Sequence, residues 1–347
     1  MIEETPEKND AANAVPEVNT QLADIEAVAA LEVEADEERL QLVVPEGVSR
    51  ERADKVLARE FTDWSRGQIQ EAFADGEVLL NGSAIKKGAR VSAGDVLLFR
   101  LPEHALESIE PIEVPLSIIY EDSHIIVINK HAGIVTHPGK NTGTTLVHAL
   151  LHHTGGALAT APGDIRQGVV HRLDKDTTGV MVFAKSNEAY FQLVKLFAGR
   201  EVQKEYLALV LGVPRLDSGT IKKPIDRHQV QRHKMAVAQE GKGRFAHTDW
   251  RVEKAFAKKY SMLRCWIHTG RTHQIRVHLS DLGHPLLGDA TYGYKAVNDS
   301  LEPPAHVMLH AERLSFVHPV TGVEMAFQAP FFPEYEARLE LLRTVSA

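Results

Sequence analysis

Strand-like stretches after Leu116 restrict the fold of this chain more than any other feature of its sequence. Short apolar runs of strand type dominate residues 202–280, and helical periodicity returns at 146–151 and 189–196. A doubly wound parallel sheet needs a regular alternation of strands and helices. Because that alternation is missing, the sequence predicts an α+β fold with a mixed, largely antiparallel central sheet. A terminal helix is expected over 334–343.

Acidic residues concentrate at the start of the chain. Residues 1–46 hold 13 Asp and Glu against two Lys and Arg, which leaves 34 acidic and 37 basic side chains in residues 47–347. A charged segment with few aromatic residues buries too little apolar surface to fold, so we expect a disordered acidic tail over 1–46. A docking arm is the alternative. The remaining surplus of three positive charges allows a polyanionic partner but does not establish one.

Several protein classes are excluded by composition. No run of 18 apolar residues occurs, which predicts that the chain has no membrane span. The first residues lack the basic and apolar regions of a signal peptide, so we expect a cytoplasmic protein. The single cysteine, Cys265, excludes an intrachain disulfide and a Cys-based zinc site. His268, His273 and His278 follow in five-residue steps that share no face of a helix or strand, and no acid accompanies them, so no metal is expected.

Two helices and then short strands are predicted for residues 47–101. Apolar side chains recur at helical spacing over 53–61, and Ser65, with a glutamine three positions later, forms a capping box that begins a second helix. A hairpin should turn at Asn81-Gly82, and a last strand should cover 96–99. Residues 102–115 follow with three prolines and four glutamates, which is typical of a linker.

Basic side chains are dispersed among these elements: Arg50, Arg52, Arg59, Arg66, Lys86 and Lys87. The order of elements, with Ser65-Arg66 and Glu77-Val78-x-x-Asn81-Gly82, resembles the alpha-L RNA-binding motif named from a ribosomal small-subunit protein. The resemblance implies an RNA-binding domain over 47–101 with Arg66, Lys86 and Lys87 as contacts. Such charges also occur on solvated helix faces, which is the alternative reading.

The segment from Gly168 to Gly179 is the most informative for chemistry. Two apolar residues lead into a polar run that contains Asp174 and Asp176, and a second apolar stretch follows the glycine. A carboxylate where a strand ends and turns is a frequent setting for a catalytic acid, although either Asp could simply cap the turn. Asp174-Lys175-Asp176-Thr177-Thr178 also fits the DxDxT pattern of aspartyl-phosphate phosphatases. Those enzymes run an apolar strand directly into the first Asp, whereas here His171 and Arg172 interrupt it.

The run His171-Arg172-Leu173-Asp174-Lys175-Asp176-Thr177-Thr178-Gly179 resembles the HRLDxxTSG signature of the RluA/RluD family of RNA pseudouridine synthases. Thr178 stands where the family more often has serine, and both residues carry a hydroxyl. Four further segments match family motifs in the same order, so that the resemblance covers about residues 48–335. These segments are 121–139, 204–210, 270–278 and 283–289.

Membership of this family would imply that the protein converts uridine to pseudouridine in RNA. The N–C bond to ribose breaks, the base turns, and it is rejoined through carbon, so that neither redox change nor cofactor is needed. The resemblance assigns catalysis to Asp174, acting as base or nucleophile, with Arg276 favouring its ionised form. It also places Tyr206 against the uracil ring, although a tyrosine in an alternating strand often serves packing alone.

A uridine stacked in RNA must be extruded before it can react. The resemblance implies that Arg172 fills the vacated space, although without it Arg172 would read as an ion-pair partner of Asp174 or Asp176. His171 and Arg271 complete the expected RNA-binding residues.

Residues 116–347 are expected to form a catalytic domain with the pseudouridine synthase fold. The N-terminal module and the segment 224–237 look most like the RluD branch, which acts on large-subunit ribosomal RNA. We expect a monomer whose partner is that RNA or its precursor. The competing class is a non-catalytic RNA-binding or assembly factor on the same fold.

Overall fold

The structure of the chain is a computed structural model. It describes residues 40–61, 66–100, 109–138, 142–159, 167–231, 234–239, 241–296 and 301–345. Residues 1–39 of the predicted tail, Ser65 of the predicted capping box, the side chains of Arg66 and Gln68, Leu101, and residues 102–108 of the predicted linker lie outside this description. The chain divides into two compact units, which are residues 1–53 with 72–101 and residues 54–71 with 102–347.

Short strands form the first unit. Its strands are β1 (Leu40–Val43), β2 (Glu51–Arg52), β3 (Val78–Leu80), β4 (Ser83–Ala84), β5 (Arg90–Val91) and β6 (Val96–Phe99). Four of them form an antiparallel sheet in the order β1-β6-β3-β4, and β2 pairs with β5. The predicted hairpin turns at Asn81 and Gly82, whose φ angles of 48° and 84° suit the tight turns that match strand twist. The hairpin and the last strand are therefore confirmed.

The strand β1 corrects one sequence-based expectation. Leu40–Val43 falls within the segment expected to be a disordered tail, yet it pairs along its length with β6, from Leu40 opposite Phe99 to Val43 opposite Val96. The partner strand β6 lies more than 50 positions away in sequence. The amino-acid composition of residues 1–46 contains no information about such a distant strand, so it could not predict that the three apolar residues of β1 would be paired.

Two helices lie between the early strands in sequence, α1 (Ala53–Glu60) and α2 (Arg66–Ala74). Their apolar residues at helical spacing are buried, as predicted; these are Ala53, Val56 and Leu57 on α1 and Ile69, Ala72 and Phe73 on α2.

The larger unit contains a second, longer set of strands and four further helices among its described residues. The strands are β7 (Ser117–Glu121), β8 (Ile125–Lys130), β9 (Thr178–Ala184), β10 (Gln203–Leu211), β11 (Ser218–Ile221), β12 (Ile225–Arg227), β13 (Met235–Val237), β14 (Thr248–Phe256), β15 (Tyr260–Ile267), β16 (Leu309–Val317) and β17 (Glu324–Gln328). The helices are α3 (Leu146–His153), α4 (Asn187–Gly199), α5 (Gln274–Asp281) and α6 (Pro333–Thr344), with a 3-10 turn at Ala290–Tyr292. The predicted helices over 146–151, 189–196 and 334–343 are therefore confirmed.

A mixed sheet of nine strands organises the larger unit. Within the described residues its order is β11-β14-β15-β10-β16-β9-β8-β7, and β17 pairs with the remaining length of β16. The pairing of β16 with β9 is parallel and the other pairings in this sheet are antiparallel. Every residue of β8 and β9 is buried, as expected for central strands covered on both faces. The α+β prediction with a largely antiparallel sheet is confirmed.

Gly179 lets β9 and β16 approach each other directly after the 171–179 motif. Its φ is +115°, and a Cβ atom there would lie 2.2 Å from the carbonyl oxygen of Ala311. A side chain is therefore excluded by both backbone conformation and space. The motif thus ends where its chain is fixed against the centre of the sheet.

Residues 109–115 of the predicted linker contain neither helix nor strand, although the amide of Ile112 donates to the carbonyl of His148 (3.1 Å). None of the helices in the described ranges is long and apolar enough to cross a membrane.

Candidate active site

A basic cavity of about 720 Å³ opens in the larger unit, where the 171–177 segment meets the start of α5. This volume lies within the range of small-molecule pockets and can accommodate a nucleotide. Six basic side chains line it: Arg172, Arg200, Lys204, Arg244, Arg271 and Arg276. The cavity also contains Asp174 and Tyr206, so the structure brings the three predicted catalytic residues to one place.

Arg276 joins two carboxylates in this cavity. Its Nε and Nη2 donate to Oδ2 and Oδ1 of Asp289 at 2.7 and 2.9 Å, and its Nη1 donates to Oδ2 of Asp174 at 3.1 Å. Asp289 is 1% exposed, whereas the side chain of Asp174 keeps 20% of its surface open to the cavity. Burial lowers the pKa of Arg276, but the two carboxylates outweigh it and raise that pKa above its usual value. Arg276 therefore places a permanent positive charge in hydrogen-bond contact with the Asp174 carboxylate.

The start of α5 fixes the direction of Arg276. His273 precedes the helix in a left-handed conformation (φ 56°), and its Nδ1 lies 2.7 Å from the hydroxyl of Tyr292. The Arg276 guanidinium stacks over the Tyr292 ring at 5.0 Å. Nε2 of His273 also lies 3.9 Å from Oδ1 of Asp174. Asp174 is therefore flanked on one side by Arg276 and on the other by an imidazole.

Lys130, at the end of β8, holds the loop that carries Asp174. Its side chain is fully buried, and Nζ donates to the carbonyl oxygens of His131, Lys175 and Thr177 at 2.9, 2.7 and 2.8 Å. Burial lowers the pKa of Lys130 to about 7, against the opposing effect of the nearby carboxylates. Two of the three carbonyls belong to the loop itself, so this one side chain fixes the backbone on the carboxyl side of Asp174.

Tyr206 lies on β10 and is 8% exposed. Burial, together with the negative charge of Asp174, raises the pKa of its hydroxyl well above the ordinary value. Tyr206 therefore presents a neutral phenol and an aromatic ring to the cavity at physiological pH.

Arg172 and His171 have different environments although they are adjacent. Arg172 is exposed at the cavity. His171 stacks on Phe197, with ring centroids 4.6 Å apart, and its Nε2 accepts a hydrogen bond from the amide of Val182 at 3.1 Å. Burial lowers the pKa of His171 to about 3, so the imidazole is neutral. This geometry ties His171 to strand β9 and gives it no charge to offer to a phosphate.

Arg271 lies at the cavity with its Nε donating to the carbonyl of Phe245 at 2.9 Å. Burial and the like charges of Arg244 and Arg200 lower its pKa, which shows that three guanidinium groups share this side of the cavity. Such a concentration of positive charge favours an anionic ligand. Lys86 and Lys87 are exposed in the turn after β4, and Arg66 is the first residue of α2.

Comparison with known proteins identifies the family of the chain. A family model described as RNA pseudouridylate synthase matches residues 124–281, and an S4 domain model matches residues 51–97. An uncharacterized RNA pseudouridine synthase of Aquifex aeolicus is 43% identical over 285 residues, which cover 80% of this chain and 89% of the relative. The chain belongs to the RluA/RluD family of RNA pseudouridine synthases.

Two further relatives place the synthase in this family. Ribosomal large subunit pseudouridine synthase D of Xylella fastidiosa is 40% identical over 317 residues, covering 88% of this chain and 93% of the relative. The solved structure of human RNA pseudouridylate synthase domain containing 1 has a TM-score of 0.52 and 28% identity, covering 68% of this chain and 96% of its own. The S4 match confirms the alpha-L motif expected in the N-terminal module.

Thr178 shows how the synthase uses the hydroxyl in its signature. Nε2 of His310 lies 3.1 Å from the carbonyl of Ala329, to which it must donate, so Nδ1 is left to accept from the Thr178 hydroxyl at 2.8 Å. Burial lowers the pKa of His310, which keeps the imidazole neutral. The substitution of threonine for serine therefore retains the side-chain hydrogen bond from the motif to His310 on β16.

Sequence reasoning missed three residues that shape the site of the synthase. Asp289 was part of a recognised segment but was given no role, although it accepts two of the hydrogen bonds from Arg276. Lys130 likewise lay in a matched segment, and its location at the end of an apolar strand could have indicated a buried cation. Tyr292 carried no signal, because its contact with His273 depends on how the 3-10 turn packs against α5.

Proposed function

We propose that this synthase isomerises uridines of large-subunit ribosomal RNA to pseudouridine. Relatives from several bacteria that are about 40% identical over most of their length carry the name ribosomal large subunit pseudouridine synthase D. The N-terminal S4 match and the six basic side chains around the cavity support an RNA substrate.

The observation that carries the proposal is the chain of contacts from Asp289 through Arg276 to Asp174. A carboxylate that acts at the sugar must be ionised and fixed in direction. Arg276 supplies the charge, and its two bonds to the buried Asp289 restrict its rotation. Asp174 thus faces the cavity as a held carboxylate, and we assign to it the step in which the glycosidic bond breaks.

Tyr206 and Arg172 are assigned to the base and to the gap that it leaves. The buried ring of Tyr206 offers a surface on which uracil can stack, and its raised pKa keeps the hydroxyl protonated while the base turns. Arg172 is exposed two residues before Asp174, where a planar guanidinium can occupy the space of an extruded base. His171 is assigned a positioning role, since its imidazole bonds to the backbone of β9.

We further propose that the synthase acts in the cytoplasm as a monomer and needs no cofactor, because the isomerisation transfers no electrons and adds no external group. In this proposal an S4-like module over residues 47–101 is joined by the linker 102–115 to a catalytic domain over 116–347. The module supplies Arg66, Lys86 and Lys87 as phosphate contacts. These contacts position the RNA and add affinity that falls with salt.

Exchanging Asp174 for asparagine tests the assignment. Asp174→Asn keeps the size and much of the hydrogen bonding but removes the negative charge. We expect pseudouridine formation on a ribosomal RNA fragment to fall below detection, while RNA affinity stays within about tenfold, or about 1.4 kcal/mol. Mass spectrometry or chemical sequencing of the RNA reports the product, and a filter-binding assay reports the affinity.

Asp176→Asn is the matched control, because it removes the other carboxylate of the same turn. The family resemblance gives Asp176 no chemical role, so this variant should retain substantial turnover. If Asp176 proves essential and Asp174 dispensable, the catalytic residue is misassigned. Equal activity of both variants would indicate that the residue at position 174 is not catalytic. If the unaltered protein binds the RNA but leaves it unmodified, the assembly-factor alternative is favoured.

A further inference from the structure

Two histidines and an aspartate meet next to the cavity, and one of them, His268, also lines it. Nε2 of His247 lies 3.1 Å from Oδ1 of Asp249, and Nε2 of His268 lies 2.7 Å from Oδ2 of the same carboxylate. The two imidazoles stack with centroids 4.1 Å apart and planes 23° from parallel. Within the described residues, these side chains form a set of ligand-type atoms that all lie within 4.8 Å of one another.

The fold brings this set together by strand pairing. His247 directly precedes β14 and His268 directly follows β15, and the amide of His268 donates to the carbonyl of His247 at 3.1 Å. Along the sequence His268 has no acidic neighbour to suggest a ligand cluster, and for that reason no metal was expected there. The antiparallel register supplies Asp249 and His247 from the adjacent strand.

The atoms already have nearly the separations of a metal centre. Zinc binds imidazole nitrogen and carboxylate oxygen at about 2.0–2.2 Å, so the ligand atoms of a tetrahedral site lie about 3.3 Å apart. The imidazole nitrogens lie 3.1 and 2.7 Å from the two different oxygens of Asp249, and with one oxygen taken from the carboxylate all three ligand atoms lie within 4.8 Å of one another. The geometry would be completed when each imidazole carries its proton on Nδ1, so that Nε2 is free to bind the ion, and when the side chains shift by about an ångström.

The surroundings hold the ligands but leave room for an ion. The hydroxyl of Thr220, on β11, donates to Oδ1 of Asp249 at 2.6 Å, which is the kind of support that ligating carboxylates receive. His247 is tied through its amide to Thr269 Oγ1 at 3.0 Å. The side chain of His268 is 47% exposed, so an ion and its water can enter.

We propose that His247, Asp249 and His268 bind a divalent transition-metal ion of the zinc class, with the remaining coordination position open to water. Imidazole nitrogen with one carboxylate oxygen suits zinc and neighbouring metals better than calcium or magnesium, which prefer oxygen ligands. The site bridges β14 and the end of β15 beside the segment 269–274. It is separate from the Asp174 chemistry and takes no part in bond cleavage.

Titration of the full-length, untagged protein with Zn²⁺ after dialysis against a chelator tests the proposal. Calorimetry should show one saturable Zn²⁺ per chain. His268→Gln and Asp249→Asn should each weaken that binding by about tenfold or more. The control is His153→Gln, since the Nε2 of His153 lies 2.8 Å from a carboxylate oxygen of Glu121, but within the described part of the chain this pair belongs to no three-ligand set. Its stoichiometry and affinity should match the unaltered protein.

Cobalt supplies a readout that does not depend on variants. Co²⁺ added to the unaltered protein should give the visible absorption of a four-coordinate centre, and Zn²⁺ should displace it at equal stoichiometry. Absence of saturable Zn²⁺ binding, or Zn²⁺ affinity that survives both His268→Gln and Asp249→Asn, overturns the proposal. A six-coordinate Co²⁺ spectrum identical to that in buffer also overturns the proposal. His247, Asp249 and His268 would then be a hydrogen-bonded group of side chains that binds no metal.

Discussion

Replacing Asp289 with asparagine removes one negative charge from the interior of the site while leaving Asp174 untouched. In the unaltered protein the Asp289 carboxylate accepts from Nε and Nη2 of Arg276 at 2.7 and 2.9 Å and is 1% exposed. Asparagine retains one acceptor oxygen but turns an amide N–H₂ towards a guanidinium N–H. One charge-assisted hydrogen bond is lost, and two donors are placed face to face.

The size of the effect follows from those contacts. A hydrogen bond between charged groups contributes about 1.5–3 kcal/mol, and breaking a buried ion pair costs about 3–5 kcal/mol. Asparagine is nearly isosteric with aspartate, and Asp174 still faces Arg276. We therefore expect the free energy of unfolding to fall by about 2–3 kcal/mol, which is closer to the loss of one charged hydrogen bond than to the loss of a whole buried ion pair. The guanidinium is then held by one remaining bond to the amide oxygen, by Asp174 and by the Tyr292 ring, so it should rotate towards Asp174.

Single-turnover pseudouridine formation at saturating enzyme measures the catalytic consequence. Misorientation of Arg276 should slow the step by about 10- to 100-fold, or about 1.4–2.8 kcal/mol of barrier. Urea unfolding measures the stability in parallel. The control is Asp281→Asn, on the same helix as Arg276. The exposed carboxylate of Asp281 pairs with Lys223 at 2.6 Å and contributes less than about 1 kcal/mol to stability.

Two outcomes would refute the reasoning. A single-turnover rate that stays within about twofold while stability falls would show that Asp289 does not orient Arg276 for the reaction. A rate that falls equally in Asp281→Asn would show that the loss of a carboxylate near Arg276 is enough to slow the reaction, and that the bidentate contact of Asp289 is not the cause.

Three further predictions concern the loop, the N-terminal module and the sheet. Burial lowers the pKa of Lys130 to about 7 from 10.5, so between these pH values the unfolded chain binds a proton that the folded chain has released. The free energy of unfolding of the unaltered protein, relative to that of Lys130→Met, should therefore rise by about 1.4 kcal/mol per pH unit between about pH 7.5 and 9. Urea titrations measure this difference, and a difference that does not change with pH would contradict the assignment. Lys86→Ala with Lys87→Ala should lower RNA affinity and reduce the slope of log affinity against log salt by about 1–2, and an unchanged slope would exclude these phosphate contacts. Gly179→Ala would place a Cβ 2.2 Å from the Ala311 carbonyl oxygen, so we expect a loss of about 3 kcal/mol or more in thermal or urea unfolding, and near-normal stability would show that β9 and β16 separate easily.

Local rules recovered much of the secondary structure. The hairpin at Asn81-Gly82 follows from the backbone preferences of those two residues, and α3, α4 and α6 follow from apolar side chains at helical spacing. Such signals depend on residues only a few positions apart. The same rules failed for β1, because whether Leu40–Val43 forms a strand depends on its pairing with β6, far along the chain.

The residues of the site could be named from the sequence, but their relations could not. A string of motifs in family order pointed to Asp174, Tyr206 and Arg276, and the structure brings all three to one cavity. The motif gave no indication that Asp289 holds Arg276 or that Lys130 holds the loop.

Contacts across long stretches of chain decided the rest. Asp174 meets Arg276 over 102 positions, because the 171–177 loop and the start of α5 line the same cavity. His247 and His268 became neighbours through the register of β14 and β15, although neither is near the other in sequence. The sequence by itself determined which side chains are present and which local segments are helical or extended. Only the tertiary structure decided which charges face one another, because electrostatic pairing acts through space and depends on how the strands are ordered.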